Sequence, residues 1–204
     1  HAISEQLHLS GGTAPYVFRI VDGQLPSGIF VDQAGVLSGT PVAAGSFSFR
    51  VEVEDAAGAT AGQDFLLSIS ESLEIVAPTL TEWTVGVSMV PAVYRLHGGT
   101  GAVLYSSISG LPAGIDFSDG GELSGAPSEY GTFNIRIEAT DEIGATATHE
   151  SVWVINDAPA FDGEEFADWT VGQAYNQQIG SAGGTAPLKC EFVDGRLPVG
   201  LSLH

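Results

Sequence analysis

Cysteine is nearly missing. The 204 residues hold one, Cys190, which excludes an internal disulfide framework and leaves the redox compartment open. Basic residues are scarce as well: six Lys and Arg stand against 25 Asp and Glu, for a formal net charge of −19. A field this negative repels phosphate backbones and anionic lipid, so no nucleic-acid partner is expected. No apolar run approaches the roughly 18–20 residues that span a bilayer, so no membrane insertion is expected either. No basic segment followed by an apolar core opens the chain, and His1 falls in what reads as the middle of a structural unit. Helical periodicity is absent too, and so are a nucleophile elbow, a phosphate-cradling glycine loop and a His-x-x-x-His pair. His97 and His149 each sit alone in a strand-like stretch. The acids either recur with a repeat or lie in linkers, and an active site seldom recurs at a fixed period. The chain is therefore expected not to be an enzyme.

What is present is an internal repeat. Leu25-Pro26, Leu111-Pro112 and Leu197-Pro198 recur at steps of 86 residues. Leu37-Ser38-Gly39 falls on Leu123-Ser124-Gly125, Asp55 on Asp141, and Gly58-Ala59-Thr60 on Gly144-Ala145-Thr146. Trp83-Thr84-Val85-Gly86 falls on Trp169-Thr170-Val171-Gly172, and Gly-Gly-Thr triplets begin at 11, 98 and 183.

Each unit reads as β structure. Phe47, Phe49, Val51 and Val53 alternate with Ser46, Ser48, Arg50 and Glu52, and Phe133, Ile135 and Ile137 alternate with Asn134, Arg136 and Glu138. Period-2 alternation marks strands with one face in a core and one in water. Phe65, Leu67 and Ile69, matched by Trp153 and Ile155, mark the strand that follows. Asp55-Ala-Ala-Gly58 and Asp141-Glu-Ile-Gly144 read as hairpin turns, with Asp capping the turn and Gly at positive φ. The unit from about 73 to 157 predicts strands near 73–77, 83–88, 90–97, 103–109, 114–118, 131–140 and 146–155, with a short one around 121–124. That count predicts an all-β sandwich with Greek-key connections. Three units are expected: 1–72 without its first strand, 73–157 complete, and 158–204 as an N-terminal half. The half unit is read as a truncation, or as a half completed by strands of another copy.

The ordered run of Ser10-Gly-Gly-Thr-Ala-Pro-Tyr16, Gly23-Gln-Leu-Pro-Ser-Gly28, Gly35-Val-Leu-Ser-Gly-Thr-Pro41, Gly45 and Glu54-Asp-Ala-Ala-Gly58 resembles the "Putative Ig domain" repeats of large bacterial surface proteins. It is similar also to the related dystroglycan-type cadherin-like modules. The resemblance covers nearly the whole chain. It implies tandem immunoglobulin-like sandwiches, an extracellular or cell-surface location, and adhesive or scaffold roles; it names no single ligand. In the second unit Leu123-Ser-Gly-Ala-Pro127 replaces the Ser-Gly-Thr-Pro form. Val154-Ile-Asn-Asp-Ala-Pro-Ala-Phe161 resembles the calcium-ligating linker of cadherins, whereas the first linker, Ser70-Glu-Ser-Leu-Glu74, lacks that pattern.

Two accounts of the acids stay open. In a seven-strand sandwich the last hairpin returns to the entry end, bringing Asp141 and Glu142 toward Glu71 and Glu74, a hard-oxygen cluster suited to calcium. At the next junction Asn156, Asp157, Asp162 and Glu164 offer similar oxygens. Alternatively, Asp55 and Asp141 cap their turns and the linker acids are solvated. Trp83 and Trp169 hold equivalent positions, where an exposed ring would stack on a sugar; a Trp covering one end of the core is the favoured reading. Cys190 falls in register with Phe18 and is expected to fill core volume. The leading function is a structural and adhesive array, with neighbouring repeats, other copies of the chain and a surface glycan or protein as partners. The alternative is a carbohydrate-binding accessory module, with calcium as the one cofactor in view.

Overall fold

The structure, a computed structural model, describes residues 2–80, 82–163 and 165–203, so Glu164 lies outside the described residues. Among these residues every regular element is a strand, and no helix is long and apolar enough to cross a membrane. In chain order the strands are β1 (Ile3–Gln6), β2 (Val17–Gly23), β3 (Ile29–Val31), β4 (Val36–Gly39), β5 (Gly45–Glu54), β6 (Thr60–Ile69), β7 (Glu74–Val76), β8 (Glu82–Thr84) and β9 (Ala92–Val93). They continue as β10 (Arg95–His97), β11 (Val103–Ser109), β12 (Ile115–Phe117), β13 (Glu122–Gly125), β14 (Gly131–Asp141), β15 (Thr146–Asn156), β16 (Ala160–Phe161) and β17 (Ser181–Ala182).

Two compact units do not follow chain order. The first gathers the residues up to Val76 with Leu96–Leu104 and Ala139–Ala147; the second gathers Ala77–Arg95, Tyr105–Glu138 and the residues from Thr148 onward.

In the first unit the alternation of β5 sets the architecture. Phe49 and Val51 point inward and are buried, while Arg50 faces out and pairs with Asp64 at 2.9 Å. β5 lies between β2 and β6, and β4 lies between β1 and β3. Ile29 and Leu37 of the second sheet meet Phe49 and Val51 of the first in one core, with Phe18, Phe65 and Leu67 packed around them. Phe49 stacks on Phe65 at 5.7 Å. On the outer face Arg19 joins Glu52 and Glu54. Such exposed pairs stabilise little; the apolar core carries the unit.

The second unit repeats this logic with a larger core. Residues 131–138 of β14 place Ile135 and Ile137 inside and Arg136 outside, where it pairs with Glu138 and Glu150. In its main sheet the order is β11-β14-β15-β8, and β9, β13 and β12 form a smaller sheet. β8 runs parallel to β15, with Glu82, Trp83 and Thr84 opposite Val154, Ile155 and Asn156. Tyr94, Phe117 and Tyr105 form an aromatic cluster at centroid distances of 5.8 and 5.0 Å. His149, alone in sequence, packs edge-on against Tyr94.

Several expectations need adjustment. The strand predicted at 83–88 ends at Thr84, because a turn closes there (Val87 N–H to Thr84 O, 3.2 Å) around Gly86 at φ +75°. The strand predicted at 90–97 breaks at Tyr94, where the chain leaves β13 for β7. Phe47 and Phe133, near the starts of their strands, are half-buried. Residues 158–203 hold only the two-residue strands β16 and β17 among the described residues. Without long pairing partners this segment buries no face, so Val171, Val193 and Val199 are fully exposed. Cys190 is exposed as well, not a core filler.

Candidate functional site

The first unit contains a cleft of about 630 Å³. Its apolar wall is Ile3, residues 41–44, Leu67 and Ile69; its polar side is Glu71, Glu74, His97, Thr100 and Asp141. The hairpin between β14 and β15 places Asp141 there. The carboxylate is buried, at 6% exposure. Its Oδ1 accepts from the backbone N–H groups of Ile143 (3.1 Å) and Ala145 (2.7 Å), and its Oδ2 accepts from Thr100 N–H (2.9 Å). Burial by itself would raise the Asp141 pKa, but the N–H donors together outweigh it and hold the group below the ordinary carboxylate value.

Asp55 does the same work at the hairpin between β5 and β6. Its Oδ1 caps Ala57 and Ala59, and its Oδ2 takes Thr13 N–H at 3.0 Å. The Thr13 bond leads the donors that lower its pKa. Each hairpin Asp therefore ties its turn to a Gly-Gly-Thr loop, Gly11-Gly12-Thr13 in one case and Gly98-Gly99-Thr100 in the other. The Gly-Gly-Thr loops at 98–100 and 183–185 also hold the linkers. Glu71 O accepts from Gly99 N–H at 2.9 Å, and Asp157 O accepts from Gly184 N–H at 2.7 Å. Gly98 packs so closely under the Ser72 carbonyl, at φ +71°, that a side chain would collide with it. The recurrence of the triplets together with the Asp-x-x-Gly hairpins was the available signal in the sequence for a shared role.

Of the predicted oxygen ligands, Glu71, Glu74 and Asp141 line this one cleft. Asp141 accepts from backbone N–H groups, and Glu71 Oε2 lies 3.4 Å from His97 Nδ1. Glu142 faces Ala102 N–H at 3.4 Å. Asn156 and Asp157 belong to the second unit, where Asn156 Nδ2 donates to Thr185 Oγ1 (3.1 Å) and Asp157 Oδ1 accepts from Ala158 N–H (2.8 Å). Thr185 Oγ1 also lies 2.8 Å from Thr84 Oγ1. Among the described residues no group of three or more His, Cys, Asp or Glu is spaced to hold a metal ion.

The two tryptophans differ. Trp83 is half-buried, and its indole N–H donates to Val87 O at 2.8 Å. Trp169 makes the equivalent bond to Gln173 O at 3.3 Å, yet it remains 59% exposed with its ring edge-on to Tyr175.

Comparison with known proteins places this geometry in context. The family described as "Putative Ig domain" matches the chain twice in succession, over residues 2–70 and 72–156. Curated relatives include the "Serine-rich adhesin for platelets" of Staphylococcus aureus strains MRSA252 and USA300, each 30% identical over 131 residues, or 61% of this chain. The chain spans 10% and 6% of those proteins' lengths. Similar solved structures include a C-terminal intimin fragment in complex with the intimin-binding domain of its translocated receptor (TM-score 0.43, 16% identity, 72% of this chain and 54% of that one). Another is a protocadherin gammaB7 EC3-6 cis-dimer (TM-score 0.39, 14% identity, 86% and 49%).

Proposed function

For a chain that belongs to the Putative Ig domain family, we propose a structural and adhesive role within a larger extracellular or cell-surface protein, built from tandem sandwich repeats at 1–72 (without its first strand) and 73–157, followed by an N-terminal half repeat at 158–204. The observation that carries this reading is the pair of successive family matches over residues 2–70 and 72–156. The relatives in Staphylococcus aureus, named adhesins, support it. The geometry is consistent with a scaffold: the Asp55 and Asp141 carboxylates at the hairpins accept from backbone N–H groups and tie turns to loops. The test is surface display of this chain on a non-adherent bacterium, with adherence to host cells and matrix proteins scored against a display-only control. Adherence above the control supports an adhesive segment. Unchanged adherence, together with loss of adherence when the segment is deleted from its parent protein, supports a spacer. Neither effect would reject both forms.

A carbohydrate-binding accessory role is the second reading, favoured by the exposed Trp169 against Tyr175. A glycan array probed with the chain and with Trp169→Ala separates it from the first: glycan signal lost in the variant favours this role.

A further inference from the structure

We infer that large and small core residues are exchanged position by position between the two units, and that this exchange keeps the β5–β6 and β14–β15 hairpins from trading places. In their turns and on their outer faces the two hairpins are alike. Each turns on an Asp whose carboxylate caps the turn and reaches a Gly-Gly-Thr loop. Each carries an outward Arg paired with an acid of the adjoining strand, Arg50 with Asp64 and Arg136 with Glu150. Neither feature tells one seat from the other.

Backbone bonds establish which core positions correspond. Leu7 N–H donates to Gly35 O at 2.8 Å, and Tyr94 N–H donates to Gly121 O at 2.8 Å. Val31 lies opposite Leu37, as Phe117 lies opposite Leu123. In the first hairpin Phe49 and Phe65 face each other. Ile135 and Ser151 stand as many residues from Asp141 as those two stand from Asp55.

The side chains at these positions differ in a compensating way. In the first unit both hairpin positions are Phe, stacked on each other, and Leu7 and Val31 pack against that core. In the second unit the hairpin offers Ile135 and Ser151, and the rings come from the opposite side as Tyr94 and Phe117. Tyr94 is buried, its hydroxyl lies beside Ser151, and its ring packs edge-on against His149. It fills the space that a Phe at position 151 would need.

Each wrong seating is therefore penalised. The β5–β6 hairpin in the second unit would drive Phe65 into Tyr94 and overpack that core. The β14–β15 hairpin in the first unit would set Ser151 against Leu7 and leave a void. Units on one chain meet at high effective concentration, and exchange of elements between neighbours is a characteristic failure of repeat chains. Penalties on the wrong partner supply the discrimination that turns and surface charges do not.

A disulfide can report which seat a hairpin takes. Arg19 faces Glu52 across β2 and β5, and Glu138 stands three residues before Asp141 as Glu52 stands three before Asp55. The chain with Cys190→Ser, Arg19→Cys and Glu138→Cys is refolded from urea at low concentration and oxidised. Facing strand residues lie within disulfide reach, so a 19–138 link forms when β14 is seated beside β2. Peptide mass spectrometry is expected to find little of it while the cores are native. Adding Tyr94→Leu with Ser151→Phe gives the second core the pattern of the first, and is expected to raise the link several-fold with circular dichroism unchanged. Leu7→Tyr with Phe65→Ser matches the cores in the opposite sense and should raise it likewise. Ser151→Phe alone is expected to lower the urea midpoint more than the pair Tyr94→Leu, Ser151→Phe does, because the two positions share one space. Abundant link with native cores, no increase in either matched chain, or failure of both matched chains to fold would overturn the inference. So would Ser151→Phe tolerated as well alone as in the pair.

Discussion

Asp55 and Asp141 illustrate how one residue type at one turn position ties together segments distant in sequence. Each bonds its own hairpin and reaches the Gly-Gly-Thr loop some 40 residues earlier (42 for Thr13, 41 for Thr100). Both carboxyls titrate below their ordinary value of 3.8 in the folded chain. The stabilisation they give is therefore fully present above that value and is lost as pH falls through their folded values. The melting temperature should drop steeply below about pH 4, and the double variant Asp55→Asn, Asp141→Asn should melt several degrees lower at neutral pH with a shallower acid dependence. Thermal melts from pH 7 to pH 2 check this; parallel curves would remove the carboxylates from the account. Gly121 makes a second test at this scale. Its φ is +81°, and a Cβ there would meet the Tyr105 hydroxyl and the Tyr94 carbonyl. Gly121→Ala should cost at least about 1–2 kcal/mol in urea unfolding, the scale of a left-handed backbone penalty, with the collision added.

At the scale of elements, β5 and β14 were legible because a half-buried strand writes its geometry into alternate residues. Phe49, Val51, Ile135 and Ile137 lie inside as the pattern requires, and Arg136 lies outside. The hairpins were legible for the same local reason: Asp at the cap and Gly58 or Gly144 at positive φ. What the sequence hid was pairing at a distance. No local pattern distinguishes three residues of β8 that lie parallel on β15 from a longer strand, and none shows that the Asp carboxylates reach the glycine loops. The candidate calcium ligands were legible only as far as their placement: spacing brings Glu71 and Asp141 to one cleft, whereas the bonds that their oxygens make to backbone donors and to His97 depend on contacts at a distance. The register can be tested directly. Ile137 is fully buried, so Ile137→Ala should cost about 2–5 kcal/mol, whereas Arg136→Ala should leave the urea midpoint nearly unchanged. The reverse order would mean a slip of one residue.

For the whole molecule, charge is the dominant global property. A net charge of −19 makes self-repulsion a constant opposing term, so sodium chloride from about 10 mM to about 500 mM should raise the melting temperature by screening. Calcium and magnesium at matched ionic strength test the candidate ligands Glu71, Glu74, Asp141 and Glu142, and screening alone would shift it equally. A larger shift with calcium would reveal a specific site. Amide exchange should divide the chain as the strands do. β5, β6, β14 and β15 should exchange slowly, and residues 165–203, with one two-residue strand and large exposed apolar side chains, should exchange fast. Uniform protection would contradict that division.

The parallel pairing of β8 with β15 has a mechanical consequence. Tension applied to the chain on either side of residues 82–156 pulls these two strands in opposite directions along a common axis. Their hydrogen bonds are then loaded in shear, and the three facing pairs at Glu82, Trp83 and Thr84, together with the Val85 N–H bond to Asn156 O, must rupture together instead of unzipping one by one. A sandwich clamped in this way holds its length under load until it fails abruptly. Removing a single N–H with Val85→Pro should lower the rupture force seen in single-molecule pulling.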